Sequence, residues 1–489
     1  MTTTLSPGFA KDLLDPDGVA IIQQLQARGH ESYFVGGSVR DLLLQRRPKD
    51  FDIATDARPE ELKRIFGRRC RIIGRRFRLV HLHVGSSIFE IATFRGLPSD
   101  QEVATDDSGF VVRANTFGTA FEDAKSRDFT VNGLFYDPVA HLVIDHVGGL
   151  VDVERKVLRT IGDAGARLRE DPVRLLRAVK FAARLGFSID QPILDAAEMA
   201  APLIGTCPAA RVAEELYRMS ESGYARESFA WMSRLGILDV LVPEIASSLA
   251  EGAPTRPGVL AWLSQLDRLT GAHGTLPREA TFALVAWPFV ELELSRHPEA
   301  PRLTWGRFAL DGVRELAVRL SVPIRHRYTL AGMADVLKRL RQTPPRRPHP
   351  GQLRAYGVPL ALTALRMGYL LTGQGQAAYD LWATELERLG LWAAPFEPRQ
   401  DEDGGDGPQV EVDRGIKPIR PPATQAVPRP LIARPPRPVR PTDDDAPHDE
   451  RAIDAELTDV EPLAAEVAAQ KKRRRRRRKK APGAAAPSA

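Results

Sequence analysis

The chain has 489 residues, enough for more than one domain, and its net charge of +6 is local: Lys471 to Lys480 supply ten positive charges, and without them the rest carries −4. Two cysteines, Cys70 and Cys207, lie far apart without metal-ligand spacing, which excludes a disulfide framework and a cysteine-based zinc site and fits a reducing cytosol. No apolar run reaches membrane-spanning length and no leader pattern opens the chain, so a cytoplasmic protein without membrane contact is expected.

Gly18 to Ala27 has helical apolar spacing. Tyr33-Phe34-Val35 then reads as a short strand ending at Gly36-Gly37, and Ser38 to Gln45 as a helix opening at that corner. A helix start behind a glycine turn offers N–H groups and partial positive charge to a phosphate, and Arg40 on the first turn can add a full charge. After Pro48, Asp50-Phe51-Asp52-Ile53 reads as a strand, with both aspartates on one face and Phe51 and Ile53 on the other. Two adjacent carboxylates repel unless a cation lies between them, and Mg²⁺, held by one or two carboxylates plus substrate phosphates, fits.

Pro59 to Phe66 carries proline at a helix start and acids in the first turn. Arg78 to Val84 and Ile88 to Phe94 alternate around Gly85-Ser86-Ser87, which predicts a hairpin. Glu90, mid-strand and in phase with Ala92 and Phe94, is either a third metal-site acid or an exposed edge residue. His81 and His83 share a face but have no third ligand near, so they read as ordinary strand histidines. Gly96 to Phe117 reads as an irregular loop. Arg127 and Asp128 precede an apolar run of helical spacing, where an aspartate can simply be an N-cap. His141 to Asp145 is a further strand.

Arg169 to Phe187 predicts one helix, with Pro172 near its start and Gly186 at its end. Along it Asp171, Arg174, Arg177 and Lys180 advance by three as a shallow stripe, which on pattern alone is a solvated basic face. Helices are expected at 213–220, 228–235, 258–269, 278–286, 330–340, 353–369 and 375–389. From Glu397 the composition turns to proline, arginine and acids before the basic decamer, and disorder is expected there.

Ten residues separate Arg40 from Asp50, and together GG-S-VRD and DFDIAT resemble the nucleotidyltransferase superfamily of DNA polymerase beta, specifically the bacterial poly(A) polymerases and class II tRNA CCA-adding enzymes. SRDFT at 126–130 and Glu170-Asp171-x-x-Arg174-x-x-Arg177 also match that family's motifs. The resemblance implies an α+β fold: an N-terminal nucleotidyltransferase head with a mixed or antiparallel sheet (18–160), a helical neck (161–225), a helical body (226–396), and a disordered basic tail (397–489). It implies catalytic carboxylates Asp50, Asp52 and Asp128, with two Mg²⁺ ions on Asp50 and Asp52; Asp128, or Glu90 as a metal-site acid on its strand, completes the acidic site. It implies nucleotide binding by Gly36, Gly37, Arg40, Arg127, Asp171, Arg174, Arg177 and Lys180, with Asp171 and Arg174 reading the base. Lys180 stands where the family often has arginine. ATP is the implied substrate and RNA 3′ ends the partner, the polybasic tail holding RNA phosphates. The segment IIGRRFRLVH at 72–81 resembles the poly(A) polymerase branch; CCA addition is the alternative, and an inactive RNA-binding scaffold is disfavoured by the intact Asp50 and Asp52.

Overall fold

The computed structural model describes residues 2–74, 78–96, 103–105, 111–113, 116–297, 304–341 and 357–389, with 103–105 and 111–113 as backbone. The tail from 397, its decamer, residues 75–77 of the IIGRRFRLVH segment and the predicted helix start at 353–356 lie outside the described residues.

Helix α1, Pro16–Gln26, starts where Asp15 accepts from the Asp17 and Gly18 N–H groups at 2.9 and 3.0 Å and proline takes the first turn. It buries Ile21, Ile22 and Leu25. Eight strands form one mixed sheet: β1 (Thr3–Leu5), β2 (Ser32–Val35), β3 (Ile53–Thr55), β4 (Cys70–Ile73), β5 (Leu79–Val84), β6 (Ser87–Thr93), and, after a separate hairpin of β7 (Val103–Thr105) and β8 (Val111–Arg113), β9 (Leu134–Asp137) and β10 (Leu142–Asp145). The order is β1-β10-β9-β2-β3-β6-β5-β4, and only β3 and β6 pair in parallel. Residues on β2, β3 and β9 alternate between two apolar layers: Phe34, Ile53 and Tyr136 enter the main core, while Val35, Ala54 and Phe135 pack with Phe94 and Ala124 on the other face.

Helices α2 (Gly37–Leu43), α3 (Pro59–Phe66), α4 (Ala120–Ser126) and α5 (Gly149–Arg155) flank the sheet. Beyond a short strand β11 (Val157–Leu158), α6 (Ala164–Glu170) and α7 (Val173–Leu185) lead through β12 (Ser188–Ile189) into α8 (Gln191–Ile204), α9 (Ala209–Ser220) and further helices, the longest being Arg256–His273, Arg278–Arg296 and Ile324–Leu340. One continuous core runs from Phe34 and Ile53 through Leu175, Leu176 and Val179 of α7 to Trp262 and Leu337.

Four local expectations change. The predicted strand at 50–53 begins only at Ile53, so Asp50 and Asp52 stand on the loop entering β3. The helix predicted across 169–187 breaks at Asp171, which is extended at φ −146° and ψ 93°, because the ring of Pro172 disfavours helical backbone in the residue before it. The run after Asp128 is a 3₁₀ turn, Thr130–Asn132, and then strand β9 rather than a helix. Leu134, Phe135 and Tyr136 are all buried because β9 lies inside the sheet with both faces covered, which erases the alternation that marks a strand. The 96–117 stretch, expected to be irregular, holds the β7–β8 hairpin.

Candidate active site

Chain reversal at Gly36 creates one edge of a cleft of about 980 Å³. Gly36 has φ 71° and ψ −123°, and its N–H donates to the Leu134 carbonyl at 3.0 Å. The backbone there favours glycine, and a Cβ would also sit 2.9 Å from Arg127 Nη1 and displace that side chain's tip. Arg127 is held against this corner by Asp123, which accepts from its Nε and Nη2 at 3.0 and 2.8 Å.

Asp50 and Asp52 line the same cleft. The parallel register pairs Ile53 with Ile91, which brings Asp52 beside Glu90, one residue earlier on each strand and on the same face. Phe51 turns inward against Phe34, ring centroids 5.0 Å apart. Burial between the cleft walls, then the charge of Glu90, push the Asp52 carboxyl up; Arg127 pulls it down, Asp50 adds to the rise, and it settles at about 6. Asp52 as a residue is nevertheless exposed to solvent along the cleft. Glu90 is half exposed and lies 3.4 Å from His81 Nε2 across the hairpin. Among the described residues no three His, Cys, Asp or Glu side chains converge as a metal-binding cluster, so Asp50, Asp52 and Glu90 do not form a joint three-ligand set here. The donor chemistry of the pair does suit a hard cation that takes one or two carboxylates and completes its shell with water and phosphate oxygens. The burial that raises Asp52, and the added repulsion from Glu90 and Asp50, are what such a cation would offset.

Several residues expected to serve the ligand have protein partners, Arg40 and Asp128 with the most. Arg40 is 1% exposed: Nε and Nη2 donate to Asp41 Oδ1 at 2.9 and 2.7 Å, and Nη1 donates to Asn132 Oδ1 at 2.6 Å. Asp128 is buried, accepting from Phe129 N–H (2.9 Å) and Asn132 Nδ2 (3.2 Å) on one oxygen and from Arg177 Nε (2.7 Å) on the other. Burial pushes the Asp128 carboxyl up, but Arg177, Asn132 and the Phe129 N–H together hold it below the usual carboxylate range. Lys180 is paired with Glu215 of α9, and it is not among the residues lining the cleft.

Asp171 and Arg174 line the far wall. The break before Pro172 places Asp171 at the corner where α7 starts, with Arg174 N–H donating to its carbonyl at 3.0 Å. Asp171 Oδ2 accepts from Arg211 at 2.8 Å, while its Oδ1 is buried with no partner among the described residues. Arg174 Nη1 donates to the Arg167 carbonyl and to Glu170 at 2.7 and 2.8 Å. Arg184, Arg211, Arg218 and Asn132 also line the cleft and carry no motif signal. Arg211 and Arg218 are seven apart, one face of α9, a spacing that shows a shared face but not what the face meets. A separate cavity of about 140 Å³ among Phe229, Phe282, Phe289 and other mostly apolar side chains lies away from the carboxylates.

The model of the poly A polymerase head domain matches residues 32–159, and that of a probable RNA and SrmB binding site of polymerase A matches 186–249. A solved Bacillus stearothermophilus CCA-adding enzyme in complex with CTP superposes with a TM-score of 0.56 at 24% identity, covering 77% of this chain and 84% of that one. The CCA-adding enzyme of Geobacillus thermodenitrificans is 36% identical over 228 residues, 47% of this chain and 54% of that protein. Poly(A) polymerase I of Haemophilus influenzae is 40% identical over 235 residues, 47% of this chain, which spans about half (52%) of that relative's length. Poly(A) polymerase I of Escherichia coli O6:H1 is 41% identical over 328 residues, 64% of this chain and 70% of that protein. With matching head and RNA-site models and this degree of identity over most of a relative's length, the chain belongs to the bacterial poly(A) polymerase family.

Proposed function

We propose that the protein is a template-independent polynucleotide adenylyltransferase that adds AMP from ATP to RNA 3′ ends and releases pyrophosphate. One observation carries the reading. A single cleft holds Asp50 and Asp52, the latter pushed up to about 6 by burial and then by the charge of Glu90, and, on the facing wall, a buried carboxylate oxygen of Asp171 that lacks a donor among the described residues. The first is suited to a cation with phosphates, the second to an exocyclic amine.

Asp50 and Asp52 are the residues that would hold Mg²⁺. When bound there, Mg²⁺ supplies a more acidic RNA 3′-hydroxyl and neutralises charge on the departing pyrophosphate. The Gly36-Gly37 backbone, with Arg127 packed on the corner, cradles the triphosphate. Asp171 Oδ1 accepts from the base's amine while Arg174 donates to the adjacent ring nitrogen. Adenine and cytosine present that amine-and-acceptor edge, whereas uracil and guanine would leave buried groups unpaired. Arg211 and Arg218 extend the positive wall along α9 toward the RNA. The Escherichia coli poly(A) polymerase I, aligned over 64% of this chain against 47% for the CCA-adding relative, supports ATP alone over CCA addition. In domain terms the head is 18–160, the neck 161–225 and the body 226–396, with RNA held by neck, body and the basic tail.

Labelled ATP and an unstructured RNA test the proposal. The wild-type chain is expected to lengthen the RNA in Mg²⁺, and Asp50→Asn to abolish lengthening. Undiminished activity in Asp50→Asn sinks the mechanism.

A further inference from the structure

Helix α7 is tied to the sheet half of the molecule at two points that are joined to each other through the interior. At one end Arg177 Nε donates to Asp128 Oδ2 at 2.7 Å, and its Nη2 lies 2.6 Å from the same oxygen as an ion pair. Two turns later Arg184 Nη2 donates to Asp41 Oδ2 at 3.0 Å. Between the two carboxylates the path is unbroken: Asp41 to Arg40, Arg40 to Asn132 at 2.6 Å, and Asn132 to Asp128 at 3.2 Å. The inner members are all buried: Arg40 1%, Asp41 6%, Asn132 7% and Asp128 9% exposed. Phe181, midway between the two arginines on α7, fills the loop so formed. Arg40 lies over its ring at 5.4 Å and Phe129 meets it edge-on at 5.8 Å.

A buried charge is costly when its partner leaves. One oxygen of Asp41 and one of Asp128 take their partners from α7 in this register, so a slide of α7 along its axis would leave both Oδ2 atoms without theirs. α7 begins at the corner bearing Asp171 and Arg174, while Asp41 lies on α2, which grows directly from the glycine corner of the phosphate cradle.

We propose that Asp128, Asn132, Arg40 and Asp41 are positioning residues, a clamp that sets the distance between the Asp50–Asp52 acid pair and the base-reading Asp171–Arg174 pair and so sets base discrimination. The inference rests on the nucleotidyltransferase reading of the cleft. It gives Asp128 and Arg40 a role different from direct contact with metal or phosphate. A cut in the clamp leaves the acid pair and the base-reading pair chemically intact but lets their separation vary.

The test measures equilibrium binding of ATP and of GTP to the full-length protein in Mg²⁺, together with AMP incorporation. Arg184→Met removes the half-exposed outer anchor with little risk to folding, and Asn132→Ala cuts the inner path. Each is expected to lower the ATP-to-GTP affinity ratio roughly tenfold, as small misplacements of positioned groups do, and Arg184→Lys is expected to restore most of it. Asp128→Asn is expected to lower the same ratio while leaving the Mg²⁺ concentration for half-maximal incorporation unchanged. An unaltered ratio in both Arg184→Met and Asn132→Ala overturns the clamp. So does a tenfold rise in the Mg²⁺ requirement of Asp128→Asn, which would make Asp128 a metal ligand. A wild-type protein that prefers ATP in binding yet incorporates no AMP would refute the polymerase reading, and the binding ratios would still judge the clamp.

Discussion

Asp52→Asn should raise the stability of the metal-free protein while destroying its activity. Asp52 has a folded-state pKa of about 6 against an ordinary 3.8, so folding favours its neutral form. The sign follows: ionised Asp52 weakens the fold, the penalty being absent well below 3.8, growing as pH rises, and complete above about 6. At about 1.36 kcal/mol per unit the full shift corresponds to ~3 kcal/mol. Asp52 is an exposed residue, and screening reduces this to about 1 kcal/mol. In a chain of this size that is a gain of about 2 °C in Tm for Asp52→Asn at pH 8 in EDTA. By the same linkage, roughly half of the gain should remain at pH 5. Adding Mg²⁺ at pH 8 should raise the wild-type Tm and leave the variant unmoved, since ligand binding stabilises only the state that binds it. Thermal melts by circular dichroism at the two pH values read all three effects. A variant less stable than wild type at pH 8, or a gain larger at pH 5, would refute the reasoning.

Removing the charge of Glu90 should lower the Asp52 pKa, so the acidic limb of the kcat/KM profile for ATP should move to lower pH in Glu90→Gln; an unmoved limb would place Glu90 outside the electrostatics of the site. Gly36→Ala combines a φ of 71° with a Cβ 2.9 Å from Arg127 Nη1, a strain of ~1–3 kcal/mol, and should raise KM for ATP about tenfold, checked by initial rates. Arg174→Ala should reduce discrimination between ATP and GTP in single-turnover incorporation, and unchanged discrimination would remove it from base reading. Deleting residues 397–489 should preserve addition to a short primer but make the dependence of RNA affinity on salt shallower, measured by filter binding across a KCl series; an unaltered slope would separate the decamer from RNA.

The sheet half was legible where the chain's pattern and its tertiary role coincide. The hairpin of β5 and β6 and helix α3 announce themselves through alternation, turn glycine and an N-terminal proline, and each was found within a residue or two. β9 was misread because a strand covered on both faces shows a solid apolar run instead of alternation. The break at Asp171 was readable in principle, since Pro172 restricts its predecessor, but the helical stripe through Arg174 and Arg177 outweighed that local signal. Helix α8 carried an Asp190 cap and a proline start and went unread. Motif residues were legible because spacing in the chain identified them; their partners were not. Asn132, Arg184 and Arg211 lie far along the chain from Arg40, Asp41 and Asp171, and tertiary packing brings each to its partner: α2 against the turn after Asp128, α7 against α2, and α9 against the start of α7. The same packing turns Arg40 from an exposed cation into a buried one, which no local pattern distinguishes.

The central claim is tested most directly by offering the full-length protein, with Mg²⁺ and each of the four nucleoside triphosphates in turn, an unstructured RNA and, separately, a tRNA lacking its terminal CCA. The account predicts long tails from ATP alone on the unstructured RNA, with negligible use of CTP, UTP or GTP. Addition of two C and one A to the truncated tRNA from a CTP–ATP mixture, stopping there and leaving the unstructured RNA untouched, would contradict it.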